Sequence, residues 1–292
     1  MKVTKAIISA AGFGTRFLPA TKNVPKEMLP LIDAPIIHYV VKECIDSGIK
    51  DIIIVTRDGN NAVEDYFDKH FEIDNFLQKN NKSDRLKKFE EVFEKANIAF
   101  VRQKKSLPYG NATPLLAAKP YLNKDEAFAY LYADDVYDGL QPTTLELIEM
   151  FNKKEDASSI LGAQIVDKKT ISKHGCIKIK DNTEDEIELI VEKPDPDKAP
   201  SLLASCGRYV FTYEIFDYLF PENTGKDNEL WTVDAIQKLI QDNKKVYVKE
   251  IKGRVFTTGD PFNMIKTTLH FALKNPELKE QLETFIQNYK GN

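Results

Sequence analysis

Short, almost continuous apolar runs recur along the chain and alternate with stretches of helical periodicity. The run over residues 6–11 is followed by a helical pattern from Pro35 to Gly48, and then by a second run over residues 52–55. Strands that are apolar on both faces are typical of a parallel sheet covered by helices. Similar patterns predict further strands at residues 98–102, 127–132, 158–166, 176–180, 187–192, 207–211 and 246–251. This alternation predicts an open α/β sheet, with the ligand crevice at the carboxyl ends of its strands.

The composition is that of a globular protein without an excess of positive charge. Of the 292 residues, 42% are hydrophobic and 29% are charged, and the formal net charge is −4. Without a global positive field, we expect no nucleic-acid partner. No apolar run approaches the roughly 18 residues of a membrane span, and the chain opens without a cleavable signal pattern. We therefore expect a cytoplasmic protein with no membrane partner.

The first 26 residues contain five basic side chains and no acidic one. In this segment the loop Gly12-Phe13-Gly14-Thr15-Arg16 follows the first strand, where glycine lets backbone N–H groups approach a phosphate. The loop is not a GxGxxG motif, because residue 17 is phenylalanine, and it is not a P-loop, because GK[ST] is missing. A structural turn is the other interpretation. The neighbouring Arg16, Lys22 and Lys26 favour an anion site.

Two adjacent carboxylates, Asp134 and Asp135, come just after the apolar run at 127–132. Carboxylates at that edge can hold Mg²⁺ against a polyphosphate, although acidic pairs after strands are also ordinary turn residues. Together with the cationic glycine loop, they resemble the parts needed for transfer at a phosphorus centre.

The four histidines show no zinc-ligand spacing, and the sequence contains no GxSxG elbow. The single tryptophan, Trp231, is interpreted as a packing residue.

Two regions outside the predicted sheet are predicted to be helical. Residues 59–97 are highly charged and carry apolar side chains on one helical stripe, at Leu86, Phe89, Phe93 and Ala96. This pattern predicts a helical insertion between two strands. The tail from Pro261 is also predicted to be helical, in two pieces separated at Asn275-Pro276. The three cysteines lie far apart in sequence, so we expect reduced, buried thiols.

Two segments near the start carry a family resemblance. Residues 10–22 read Ala-Ala-Gly-Phe-Gly-Thr-Arg-Phe-Leu-Pro-Ala-Thr-Lys, and residues 25–30 read Pro-Lys-Glu-Met-Leu-Pro. They closely resemble the opening of the bacterial UTP:glucose-1-phosphate uridylyltransferases, within the sugar nucleotidyltransferases. Later segments agree in order, namely Val101-Arg102-Gln103, Gly110, Asp134-Asp135, Val191-Glu192-Lys193-Pro194, Gly207-Arg208-Tyr209 and Asp234-Ala235-Ile236. The resemblance covers nearly the whole chain.

The resemblance implies a Rossmann-like open mixed sheet, mainly parallel and flanked by helices, of the nucleotidyltransferase type. It implies a nucleotidyltransferase domain over residues 1–260, with the insertion at about 59–97, and a C-terminal helical extension of the same domain at 261–292. The implied substrates are UTP and glucose 1-phosphate, the cofactor is Mg²⁺, and the protein is a homo-oligomer, either a dimer or a tetramer. The sugar phosphate oxygen would attack the α-phosphorus of UTP in line, giving UDP-glucose and pyrophosphate.

The resemblance also implies roles for individual residues. Arg16 and Lys26 would be the catalytic cations, and Asp134 would bind Mg²⁺. The residues expected around the nucleotide are Ala11, Gly12, Gly14, Thr15, Gln103 and Gly110, the last two at the uracil edge. The residues expected around the sugar 1-phosphate are Asp135, Gly175, Glu192 and Lys193. Adjacent strand residues point to opposite faces, so Glu192 and Lys193 can reach one ligand only where the strand end is distorted.

The chain departs from the family pattern at several positions. Residues 107–112 read Leu-Pro-Tyr-Gly-Asn-Ala where Leu-Gly-Leu-Gly-His-Ala is usual. Ala133 replaces a usual glycine, His174 stands where tyrosine is common, and Thr257 stands where many relatives have aspartate. The long insertion favours uridylyl over thymidylyl transfer. Two alternatives stay open: a sister enzyme that uses dTTP or another sugar 1-phosphate, and a nucleotide-sugar-binding regulator that has lost catalysis.

Overall fold

The structure is a computed structural model that describes residues 1–86 and 95–289, apart from the Leu86 side chain. Its strands are β1 (Val3–Ala10), β2 (Pro30–Leu31), β3 (Ala34–Pro35), β4 (Asp51–Thr56), β5 (Asn97–Arg102), β6 (Ala127–Tyr132), β7 (Asp135–Asp138), β8 (Ala157–Ile165), β9 (Gly175–Ile179), β10 (Ile187–Glu192), β11 (Leu203–Thr212), β12 (Lys245–Glu250) and β13 (Arg254–Thr257). Its α-helices are α1 (Ile36–Asp46), α2 (Asn61–Tyr66), α3 (Phe71–Lys79), α4 (Thr113–Ala118), α5 (Thr143–Lys153), α6 (Thr232–Gln241), α7 (Pro261–Lys274) and α8 (Lys279–Asn288).

A mixed sheet of nine strands runs through the described part of the chain. Strands β5, β4, β1 and β6 lie side by side and are all parallel. Strand β11 continues the sheet antiparallel to β6, and β8, β9 and β10 lie beyond it, with β12 parallel to β8. The strand pairs β7–β13 and β2–β3 form two small antiparallel sheets. The predicted open mixed sheet flanked by helices is confirmed.

The central strands are apolar throughout because helices cover both faces of the sheet. On β1, Ile8 faces one core that includes Val41 of α1, while Ile7 faces a second core that includes Leu115 of α4 and Ile236 of α6. Both isoleucines are completely buried. Burying a side chain of this size contributes roughly 1.5–3 kcal/mol. Strand β1 is therefore held from both sides, and the loop that follows it starts from a rigid position.

The strands and helices predicted from apolar periodicity are present, with ends that differ by a few residues. The two small sheets were not predicted. Strand β11 begins at Leu203, four residues before the predicted start at residue 207, and Gly207 within it has a φ of 69°. The register of β11 against β8 shifts between Ser205 and Tyr209, on either side of this glycine.

The predicted insertion contains the short helices α2 and α3. Phe89 and Phe93 of the predicted apolar stripe lie outside the described residues. The tail forms two helices as predicted, because Pro276 lacks the N–H that would continue α7. Within residues 1–86 and 95–289, no helix is both long and apolar enough to span a membrane. The three cysteines are free and buried, as expected.

Candidate active site

A cavity of ≈ 1520 Å³ opens at the carboxyl ends of β1, β5 and β6 and extends to the ends of β9 and β10. This is the edge at which parallel α/β sheets bind ligands. Most of the predicted site residues line it, namely Ala11, Gly12, Arg16, Lys26, Gln103, Gly110, Asp134, Asp135, Gly175, Glu192 and Lys193. Gly14 and Thr15 do not line the cavity, and their predicted contact with the nucleotide stays a prediction.

The glycine loop is shaped to leave room beside Lys26. Gly14 has a φ of 63°, in the left-handed region that favours glycine, and its carbonyl accepts a hydrogen bond of 2.7 Å from Thr21 Oγ1. A Cβ at position 12 would lie 3.3 Å from Lys26 Cε. Glycine at both positions therefore lets the loop turn tightly while the Lys26 side chain lies against it.

Only two of the five early cations line the cavity. Arg16 reaches it from the loop, with Nη1 donating to the Gly259 carbonyl at 3.4 Å, and Lys26 forms part of the wall. Lys5 instead pairs with Glu126 at 2.9 Å on another part of the surface. Lys22, which the sequence placed beside Arg16 and Lys26, is exposed and outside the lining. The acid-free segment thus supplies two cations to the site.

Lys26 and Asp134 form the closest ion pair in the cavity. Lys26 Nζ donates to Asp134 Oδ2 at 2.6 Å, and the two side chains are 20% and 21% exposed. Burial opposes both charges, but Asp134 and Glu27 outweigh it and raise the pKa of the Lys26 ammonium. Likewise, burial opposes ionisation of Asp134, but Lys26 lowers its pKa. Both groups therefore stay charged across the physiological range.

Asp135 lies in a different electrostatic environment from its neighbour. Burial and the adjacent Asp134 charge raise the pKa of the Asp135 carboxyl to about 7. Three residues oppose this rise, Arg208 and Lys26 through their charges and Thr257 through a side-chain hydrogen bond. Thr257 stands opposite Asp135 in the β7–β13 pair, so the position where many relatives have an acid adjoins the acidic pair.

A buried ion pair supports the backbone under the two aspartates. Arg208 Nη2 donates to the Asp135 carbonyl at 2.6 Å and to Glu43 Oε2 at 2.8 Å. Both side chains are buried, and Glu43 also accepts from the Thr144 backbone N–H at 3.1 Å. The network ties α1, β11 and the start of α5 to the turn that carries Asp134. No role was predicted for Glu43 or Arg208, although Arg208 lies in one of the segments that carry the family resemblance.

At the other end of the cavity, Glu192 and Lys193 both line the wall because the chain is distorted at the end of β10. Lys193 has a φ of 44°, in the left-handed region, and its N–H donates to the His174 carbonyl at 3.0 Å. Such a conformation is uncommon for a residue with a side chain. Burial raises the pKa of Glu192 to about 7, although Lys193 opposes that rise. Gly175 lies close by, where an added Cβ would be 3.4 Å from Glu192 Oε2.

The loop at residues 107–112 is fastened to the segment before α6. Gly110 has a φ of 142°, and a Cβ there would overlap the Leu230 backbone. Asn111 Oδ1 accepts from the Thr232 N–H at 2.8 Å. Gln103 also lines the cavity, and its Oε1 is buried without a hydrogen-bond partner among the described residues. An unpartnered buried acceptor beside a cavity is available to a ligand that donates a hydrogen bond.

Trp231, interpreted from sequence as a packing residue, also lines the cavity. It is 7% exposed, and its ring faces Lys193. Its position beside Lys193 depends on the distorted end of β10, which periodicity in the sequence does not encode.

Comparison with known proteins agrees with this geometry. The family described as nucleotidyl transferase matches residues 5–255. A UTP–glucose-1-phosphate uridylyltransferase of Staphylococcus epidermidis is 41% identical over 98% of each chain. The chain belongs to the nucleotidyl transferase family. The resemblance to bacterial uridylyltransferases found in the sequence is thereby confirmed.

This nucleotidyl transferase is also similar to solved structures. A UTP-bound UGPase from Acinetobacter baumannii superposes with a TM-score of 0.87, at 32% identity over 99% of this chain and 100% of that one. A UDP-glucose pyrophosphorylase complexed with UDP-glucose has a TM-score of 0.82, at 33% identity over 94% of this chain and 100% of that one. The predicted nucleotidyltransferase type of fold is confirmed.

The donor set of the cavity suits a magnesium ion accompanied by phosphates. Residues 1–86 and 95–289 contain no cluster of three or more His, Cys, Asp or Glu side chains that could hold a metal. Mg²⁺ commonly keeps several waters and binds through one or two carboxylates plus substrate phosphates. Asp134, ionised and facing the cavity, fits that requirement.

Proposed function

We propose that this nucleotidyl transferase moves the uridylyl group of UTP to glucose 1-phosphate, giving UDP-glucose and pyrophosphate. The observation that supports this most directly is that one continuous cavity is lined by both groups of residues. Arg16, Lys26 and Asp134 lie at one end of it, and Glu192 and Lys193 lie at the other. A transfer between two phosphorylated substrates needs such a cavity, because both must lie against each other while water is excluded.

At the nucleotide end, the chain supplies positive charge to the triphosphate. Arg16 and Lys26 contact the phosphates, with the backbone of Ala11 and Gly12 alongside, and Gly14 and Thr15 shape the loop. The sugar phosphate oxygen forms a bond to the α-phosphorus while the bond from that phosphorus to the bridging oxygen breaks. The electron pair leaves with pyrophosphate, and the two cations stabilise the charge that builds there.

The base lies beside Gln103 and Gly110. The buried Oε1 of Gln103 accepts a hydrogen bond from N3–H of uracil. Gly110 borders the ring through its backbone, because its missing side chain makes room for the Leu230 backbone. Thymine has the same N3–H, so Gln103 alone does not separate UTP from dTTP. UTP and dTTP also differ in a methyl group on the base and in the 2′-hydroxyl, and other residues of the cavity have to distinguish these groups.

At the sugar end, Lys193 binds the phosphate of glucose 1-phosphate, and Glu192 accepts hydrogen bonds from sugar hydroxyls. Gly175 provides room next to Glu192, as its close approach to that carboxylate indicates. Asp135, between the two ends of the cavity, completes this part of the site. When ionised, Glu192 accepts at both carboxylate oxygens, whereas its protonated form also donates one hydrogen bond, and burial raises its pKa to about 7.

Asp134 would hold Mg²⁺, which when bound supplies positive charge to the phosphates of UTP. In the ligand-free protein the same carboxylate is held by Lys26. Lys26 is therefore ready to move from Asp134 to a phosphate oxygen once the nucleotide enters.

We further propose that the protein is a homo-oligomer, a dimer or a tetramer. Helix α7 leaves apolar side chains exposed at Phe262 and Ile265, and α8 does so at Phe285. Exposed apolar groups of this kind are typical of protein contacts. Light scattering should give a mass that is a multiple of 33.3 kDa. A monomeric mass at micromolar concentration would refute this part of the proposal.

Phosphorus NMR of a mixture of the protein, Mg²⁺, UTP and glucose 1-phosphate tests the proposed reaction. UDP-glucose and pyrophosphate should appear in equal amounts, and neither should form when glucose 1-phosphate is omitted. Hydrolysis of UTP without sugar transfer would refute the proposal. Binding of UDP-glucose without any turnover would instead support the regulator that the changed 107–112 loop and Thr257 suggested.

A further inference from the structure

Trp231 is fixed in place from several directions. Its indole Nε1 donates to the Lys226 carbonyl at 2.9 Å, and Gly225 leaves room beside its ring. The residue before it, Leu230, donates its N–H to the Tyr109 carbonyl at 2.8 Å. The residue after it, Thr232, is held by Asn111. The ring is therefore a rigid part of the cavity wall.

The face of this ring lies against the ammonium group of Lys193. Lys193 Nζ is 3.9 Å from the ring centroid, within the range in which an aromatic face attracts a cation. Its nearest carboxylate oxygen, Glu192 Oε1, is 3.8 Å away, too far for a hydrogen bond. Within the described residues, this ammonium group therefore has the ring face at 3.9 Å and no carboxylate within hydrogen-bond distance.

A neutral support suits a lysine that has to bind a phosphate. A hydrogen-bonded carboxylate would neutralise the ammonium and compete with the incoming dianion, whereas an aromatic face leaves its three N–H donors and its charge available. The left-handed backbone at Lys193 is uncommon for a residue with a side chain, and with this backbone the ammonium group lies against the ring.

We propose that Trp231 is a positioning residue that holds Lys193 toward the phosphate of the sugar 1-phosphate. This inference rests on the proposed function and on the binding role given there to Lys193. Trp231 acts through Lys193, and the ring does not take part in the chemical step.

Steady-state kinetics of Trp231→Leu and Trp231→Phe test the inference. Leucine removes the aromatic face, so the KM for glucose 1-phosphate should rise roughly tenfold, the factor that about 1.4 kcal/mol represents, which is within the range of cation–π contacts. The KM for UTP should stay unchanged, which also shows that the variant is folded. Phenylalanine keeps an aromatic face and should restore most of the affinity.

The control is the same substitution in a protein that lacks the ammonium group. In a Lys193→Met background, Trp231→Leu should have no further effect on the KM for glucose 1-phosphate, because the group on which the ring acts is missing. Additive effects of the two substitutions would overturn the inference. An equal rise in both KM values for the single variant would also overturn it.

Fluorescence provides a readout that needs no turnover. Trp231 is the single tryptophan of the chain, so the indole emission reports this position alone. Lys193→Met should change the emission without any ligand, because it removes a charge from the ring face. Saturation with glucose 1-phosphate should change the emission of the wild type but not that of Lys193→Met.

The two readouts separate the inference from the proposed function. An emission change that depends on Lys193, in a protein that releases no pyrophosphate, would refute the proposed reaction and support the positioning role. Normal pyrophosphate release with an emission that responds neither to Lys193→Met nor to glucose 1-phosphate would refute the positioning role alone. If Trp231→Leu does not fold, the emission of Lys193→Met still decides the question.

Discussion

Lys26 keeps its charge in a largely buried position because Asp134 lies 2.6 Å away and is itself ionised. In the proposed reaction this charge matters more in the transition state than in the bound substrate, because negative charge builds on the leaving pyrophosphate. We expect Lys26→Ala and Arg16→Ala to lower kcat by a factor of about 10²–10³, as for the loss of one oxyanion donor.

The matched control for these variants is Lys22→Ala. Lys22 belongs to the same acid-free segment but is exposed and outside the cavity lining, so its loss should leave kcat unchanged. The measurement is the initial rate of pyrophosphate release at saturating substrates. Near-normal turnover of Lys26→Ala and Arg16→Ala would mean that other cations stabilise the transition state.

Glu27 is completely buried, and neither of its carboxylate oxygens has a hydrogen-bond partner in the described part of the chain. Burial raises its pKa from 4.5 to about 7, although Lys26 opposes the rise. As pH rises above 4.5, the unfolded chain loses this proton before the folded protein does. The charge therefore destabilises the fold progressively up to about pH 7, and the penalty is complete above that pH.

We expect Glu27→Gln to stabilise the protein at pH 8 by about 3 kcal/mol, from the shift to about 7 at ~1.4 kcal/mol for each pH unit. The gain should vanish at about pH 3, more than one pH unit below both pKa values, where the side chain is largely neutral in the folded and the unfolded state. Chemical unfolding at the two pH values measures it, with the exposed Glu149→Gln as control. A gain that is the same at both pH values would show that ionisation of Glu27 is not its source.

Among the elements, the β7–β13 pair forms the surroundings of the proposed metal site. Thr257 stands opposite Asp135, and Asp134 is held by Lys26 in the ligand-free protein. We therefore expect weak Mg²⁺ binding without nucleotide and much tighter binding once UTP is present. Asp134→Asn should remove most of the turnover, because it removes the carboxylate that would hold the ion.

Thr257→Asp adds a carboxylate beside the acidic pair and should tighten Mg²⁺ binding to the nucleotide-free protein roughly tenfold, because affinity follows the charge of the ligands. The isosteric but neutral Thr257→Asn is the control. Calorimetric titration with Mg²⁺, with and without UTP, compares the Mg²⁺ affinities of the wild type, Asp134→Asn, Thr257→Asp and Thr257→Asn. Equal affinities for the Asp and Asn variants would show that residue 257 does not face the ion.

The elements show which parts of the structure the sequence predicts. Apolar runs and helical stripes predicted the central strands, α1 and the two C-terminal helices, because burial on a repeating pattern is a local property of the chain. The short strands β7 and β13 escaped prediction because each has four residues and little apolar periodicity. Their pairing depends on contacts between distant segments.

In the site, too, local sequence patterns predict some residues, while others depend on contacts between distant segments. Arg16 and Asp134 follow predicted strands, and Lys26 belongs to the same basic segment as Arg16. Their meeting could be expected because the carboxyl ends of parallel strands lie at one edge of the sheet. The Glu43–Arg208 pair joins residues 165 positions apart, and nothing local indicates it. The contact of Trp231 with Lys193 likewise depends on a left-handed residue at a strand end, which only the folded backbone reveals.

In the whole molecule, one cavity joins the carboxyl ends of the parallel strands to the ends of β9 and β10, and in the proposed reaction two phosphorylated substrates meet there. The nucleotide end contains Gln103, which suits uracil and thymine alike, so base choice depends on the shape of the rest of the cavity. We expect UTP with glucose 1-phosphate to be preferred over every other pair.

The most direct test of this account is the rate of pyrophosphate release with UTP or dTTP, each paired with the 1-phosphates of glucose, galactose and N-acetylglucosamine. We expect the highest kcat/KM for UTP with glucose 1-phosphate, and no release for any pair when Mg²⁺ is chelated. A higher kcat/KM for dTTP or for another sugar would contradict the assigned substrates, and no release from any pair would contradict the uridylyl transfer itself.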